Sequence, residues 1–80
     1  MVKEVTRGHI RVEVNGRIAT IPGEMFFRPG DKIGFVVYRD SIGRWDPPHE
    51  EVPIGDLEKI EIIDEIRSDF SAGGHLLVVE

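Results

Sequence analysis

An α+β fold is predicted by three features of the sequence: residues alternating in polarity on either side of an Asn-Gly pair, one stretch with helical spacing, and a terminal apolar run. The expected architecture is a small antiparallel or mixed sheet of four to five strands with one helix packed on one face. The alternation runs from His9 to Val14, with Ile10, Val12 and Val14 on one side and Arg11 and Glu13 on the other. It resumes from Arg17 to Ile21. Asn15-Gly16 between the two runs suits a type I′ turn, because both residues tolerate positive φ, so a hairpin is expected here.

Pro22-Gly23 is expected to break the second strand. Met25, Phe26 and Phe27 follow, either as a strand or as a plug at one end of the core, and core packing explains them with fewer assumptions than a cofactor or lipid role. After the Pro29-Gly30-Asp31 turn, Lys32 to Tyr38 is almost continuously apolar, the pattern of a central strand covered on both sides. Pro47, Pro48 and Pro53 exclude regular structure from the next segment, which reads as a stiff, irregular loop. From Asp56 to Phe70, Ile60, Ile63, Ile66 and Phe70 form one helical stripe that Ile62 widens. Ala72-Gly73-Gly74 ends the helix, and Leu76 to Val79 forms the last strand.

Eighty residues make a single domain, 1–80, that buries about 60% of its unfolded surface and has little room for a deep cavity. The absence of cysteine rules out disulfides and thiolate metal sites and fits a reducing compartment, so a cytoplasmic location is expected. Met1 to Val5 lacks the apolar core of a signal peptide. No apolar run approaches the ~20 residues of a membrane span, so neither export by that route nor membrane insertion is expected.

The net charge of −5 is unevenly distributed. Residues 1–45 carry eight Lys/Arg against five acids, whereas residues 46–70 carry nine acids against Lys59 and Arg67 alone. Such an acidic half repels phosphate backbones, which argues against direct nucleic-acid binding and for a basic protein partner, although a solvated helix face has the same composition.

Little in the sequence supports catalysis or cofactor binding. His9, His49 and His75 stand far apart without the close ligand neighbours of a zinc site. No nucleophile elbow or phosphate-binding glycine loop occurs, and Gly73-Gly74 is more simply a helix stop. His49-Glu50-Glu51 has the residue types of a metal or acid/base cluster, but an exposed turn beside prolines gives the same string. Trp45 is either a binding anchor, as tryptophans at interfaces often are, or the lid of the core, the commoner role for a lone tryptophan in so small a domain.

Thr6-Arg7-Gly8-His9-Ile10, Pro22-Gly23-Glu24-Met25, Gly34-Phe35-Val36-Val37-Tyr38 and, most specifically, Asp40-Ser41-Ile42 with Trp45-Asp46-Pro47-Pro48 resemble the immunity protein 74 family of bacterial polymorphic toxin systems. Val52-Pro53-Ile54 and Ile62 to Ile66 fit the same outline, so the resemblance spans nearly the whole chain. It implies a cytoplasmic, non-catalytic antidote that binds and blocks a cognate toxin domain. The acidic half would suit a basic nuclease as that toxin. The expected contact residues are Trp45, Asp46, His49, Glu50 and Glu51 of the loop, and Glu58, Glu61, Glu65 and Asp69 of the helix. Two rivals remain: a homodimeric adaptor or scaffold using an exposed sheet edge, and a small enzyme centred on His49, Glu50 and Glu51.

Overall fold

The computed structural model describes residues 1–80. Five strands, β1 (Val2–Val5), β2 (His9–Val14), β3 (Arg17–Arg28), β4 (Lys32–Val37) and β5 (Leu76–Val79), form one sheet in that order. The first four run antiparallel as a meander, and β5 lies parallel to β4. A parallel neighbour requires a long return connection. The chain supplies it through a 3-10 turn (Arg39–Ser41), an irregular loop and the helix α1 (Asp56–Ala72).

Local chemistry accounts for the main boundaries. At the β2–β3 turn Asn15 and Gly16 have φ of 53° and 79°, the left-handed pair a type I′ hairpin needs. At the start of α1, Glu58 reaches back to accept a hydrogen bond from the Gly55 N–H at 3.0 Å. The helix ends in a Schellman motif: Gly74, at φ 75°, donates to Ser71 O, and His75 donates to Phe70 O at 2.7 Å. The His75 ring sits edge-on to Phe70 with centroids 6.0 Å apart, the side-chain contact that accompanies this motif.

The core lies between the sheet and α1. Register places Ile10 opposite Ile21, Val12 opposite Ala19 and Phe35 beside Leu77, all buried on the helix side. The helix answers with Ile62, Ile63, Ile66 and Phe70, and the β4–α1 loop adds Ile42, Trp45 and Ile54. Every buried residue of this cluster is apolar, and each large side chain contributes roughly 1.5–3 kcal/mol.

Several sequence expectations require correction. Pro22-Gly23 does not end a strand: β3 continues to Arg28 but changes partner there, pairing with β2 through Pro22 and with β4 from Gly23 onward. Met25 to Phe27 is therefore strand. Only Met25 packs against the core, while Phe27 is 71% exposed, because the β3–β4 hairpin runs past the apolar layer. Ile60 is 49% exposed and lies outside the buried stripe, which is centred on Ile62, Ile66 and Phe70. β4 lies inside the sheet, between β3 and β5, but is covered on one face only, so Val36 is half-buried and Tyr38, just beyond the strand, is exposed. β1 was not anticipated.

Two glycines permit close approaches. A Cβ on Gly23 would collide with the backbone carbonyl of Val36, and one on Gly34 would enter the Phe26 ring lying across it. A ring can turn aside, whereas a paired strand backbone cannot. Gly23→Ala is therefore expected to destabilise the fold by about 3 kcal/mol or more, and Gly34→Ala by about 1–2 kcal/mol. Urea unfolding of both variants gives the comparison, and equal losses would contradict it.

Candidate partner-binding surface

The β4–α1 loop is positioned by an unfilled sheet edge. Because β4 pairs only with the second half of β3, the first half would present bare backbone groups there. Asp46 fills the gap. Its N–H donates to Ile18 O at 2.7 Å, its Oδ1 accepts from the Thr20 N–H at 3.1 Å, and its Oδ2 accepts from Thr20 Oγ1 at 2.7 Å. The Arg11 guanidinium lies 3.9 Å from the same carboxylate. Further along, an isolated bridge between Arg44 and Pro53 closes the base of the loop.

This clasp drives Trp45 inward, where it is 2% exposed, with the Arg17 guanidinium 5.8 Å from its ring centroid. Trp45 is thus the lid of the core, buried in the free chain rather than presented at the surface. Its indole Nε1 is buried without a hydrogen-bond partner. Asp46 is half-buried and occupied in the clasp. His49 is half-buried and donates its N–H to Asp46 O, while Glu50 and Glu51 are exposed in the turn that follows.

The four helix acids share one flank of α1, as their three- and four-residue spacing dictates. That flank faces the N-terminus and the β2–β3 turn. Glu58 lies 3.6 Å from Arg17, Glu61 accepts from Asn15 Nδ2 at 3.2 Å, and Glu65 meets the Met1 ammonium at 2.8 Å. Three of the four therefore help tie the helix to the sheet. Asp69 is exposed and has no such partner.

From the loop onward, the carboxylates without an ion-pair partner are Glu50, Glu51, Asp56, Glu61, Asp64, Asp69 and Glu80; Glu24, Asp31 and Asp40, earlier in the chain, also lack one. Leu57, 76% exposed, and Ile60 lie on the outer side of α1. Sequence reasoning missed Asp56, Asp64 and Leu57 as surface features. Projecting the helix about Ile62 and Ile66 would have found them, since all three fall away from that stripe.

The histidines serve local contacts. His9 Nε2 is 3.0 Å from Glu4, and His75 Nδ1 accepts from the Ile33 N–H at 3.0 Å. His49, Glu50 and Glu51 do not join other potential ligands into a metal-holding group, and no pocket opens at the surface. No helix is long and apolar enough to cross a membrane.

Removing the clasp should carry a modest cost, because its bonds to Thr20 are exposed. Asp46→Ala leaves the exposed Thr20 N–H to water, so a loss of about 0.5–1.5 kcal/mol is expected, with faster hydrogen exchange at the Thr20 amide. Unchanged exchange there would show that the loop closes without the carboxylate.

No curated protein and no solved structure matches this chain. The family model described as Immunity protein 74 matches residues 3–80, which includes the whole of the clasped loop, the helix and β2 to β5. The chain therefore belongs to the Immunity protein 74 family.

Proposed function

We propose that this protein neutralises a cognate toxin domain of a bacterial polymorphic toxin system by binding it and occluding its active or substrate-binding surface. Membership of an immunity-protein family is the observation that carries this reading. The producing cell's cytoplasm is the compartment in which it would act. Neutralisation by occlusion requires no catalytic group on the antidote.

The proposed contact surface is acidic and comprises Glu50, Glu51 and Asp69, with His49 at its margin and Asp56 and Asp64 added. Glu58, Glu61 and Glu65 extend it while also holding the helix in place. What supports this choice is the concentration of acids in residues 46–70, nine against Lys59 and Arg67, of which Glu50, Glu51, Asp56, Asp64 and Asp69 have no cation partner inside the chain. Uncompensated charge on a surface accelerates capture of an oppositely charged partner. A basic nuclease is the toxin class that fits, since such an enzyme must attract a polyanion and an acidic antidote competes for the same field.

Co-expression with the toxin encoded beside it should restore growth and yield a co-purifying complex; no rescue and no complex would overturn the reading. Lysine substitution at Glu50, Glu51 and Asp69 together should slow association by about tenfold at low salt and flatten its salt dependence. An unchanged rate would place the contact elsewhere. These positions are exposed and outside the internal ion pairs, so the thermal midpoint serves as the control for folding.

A further inference from the structure

The outer face of α1 carries two large apolar side chains that the fold does not use. At 100° per residue, Leu57 points about 180° away from Ile66 of the buried stripe, and Ile60 about 120° away. Both are exposed, and neither belongs to the core cluster. A single exposed leucine is ordinary. Ile60 is less so, because a β-branched residue on an open helix face has a lower helix propensity than the Glu, Lys or Gln that would also suit water there.

The surroundings of the pair set it apart from the other exposed apolar residues. Leu57, Ile60, Glu61 and Asp64 are spaced i, i+3, i+4 and i+7, which places them in one patch across two turns. From Asp56 to Asp64 the helix carries four acids, Asp56, Glu58, Glu61 and Asp64, against Lys59 alone, and Lys59 is half-buried. Asp56 and Asp64 have no cation partner inside the chain. Beyond Asp64 the same face continues through exposed Arg67, Ser68 and Ser71, so the apolar part is confined to the start of the helix and its rim is acidic.

We propose, on the toxin-binding reading, that Leu57 and Ile60 are the apolar anchors of that contact and enter a groove on the partner with an apolar floor and a rim of lysine or arginine. A convex helix presenting an i, i+3, i+4, i+7 set is the form in which helices fill grooves. Charge complementarity selects the occupant. A rim of acids matches a basic protein surface, whereas a two-fold contact with a second copy would set Asp56, Glu61 and Asp64 against themselves, and an anionic membrane surface is repelled in the same way. The two kinds of side chain then act on different steps. Exposed acids speed the encounter, and apolar groups that lose their water in the complex govern how long it lasts.

Binding kinetics with the toxin encoded beside this protein test the anchor role. Leu57→Gln and Ile60→Gln should each raise the dissociation rate by about tenfold or more, with the association rate, its salt dependence and the thermal midpoint close to wild type. Asp64→Lys should instead slow association by about threefold at low salt, and an unchanged association rate there would refute the basic rim. Phe27→Gln, which alters a side chain nearly as exposed as Leu57 but on the β3–β4 hairpin, should dissociate as wild type does. A wild-type complex whose dissociation is unaffected by both helix substitutions, or affected as much by Phe27→Gln, overturns the anchor role and leaves toxin binding standing. Absence of any wild-type complex overturns both. A dimer of the protein alone that Leu57→Gln abolishes would assign the patch to a second copy and overturn the proposal as well.

Discussion

The structure depends on one strand serving two partners. β3 is twelve residues long, and neither β2 nor β4 is long enough to accompany all of it, so each takes one half. The loop Thr6 to Gly8 continues alongside the second half, where Gly23 and Met25 donate to Gly8 O and Arg7 O. On the other side the first half is left to Asp46. Buried or half-buried backbone groups must find partners, and here the demand is met by a loop rather than a strand. The clasp draws Trp45 over the core and brings the chain round to begin α1.

That arrangement explains why the residues most specific to the family resemblance are largely structural. Trp45 and Asp46 are occupied in closing the domain, and Glu58 supports both the helix start and the ion pair with Arg17. The exposed carboxylates of this region belong to their neighbours. Glu50 and Glu51 project from the loop that Asp46 fixes, and Asp56 and Asp64 project from the helix that Glu58 starts. Fixing the loop at one end keeps the entropic cost of presenting those carboxylates low.

The legible parts of the fold were those written in local chemistry. Asn15-Gly16 specified its turn, alternation specified β2, and isoleucine spacing specified α1 to within a few residues. Val2 to Val5 was illegible because Val-Lys-Glu-Val is short and only half-buried, and becomes a strand through a bulged pairing with β2. Phe26 and Phe27 misled because hydrophobicity reports the residue and not what covers it; Phe27 is 71% exposed, and the Phe26 ring lies across Gly34 outside the core cluster. Pro22-Gly23 misled for a related reason. Proline interrupts pairing on one side only, and β3 changes partner at that point. Of the surface, the helix acids were legible as a stripe, but their internal partners Arg17, Asn15 and Met1 were not, since these lie far away in sequence.

The parallel placement of β5 beside β4 also bears on how the domain assembles. The meander from β1 to β4 is built from neighbours in sequence, whereas β5 joins only after the loop and helix have returned the chain across the sheet. Loop-closure entropy delays that contact relative to the hairpins and gives the antiparallel part a head start. An extension fused after Glu80 would therefore act on a strand that docks only after the helix has returned the chain to the sheet.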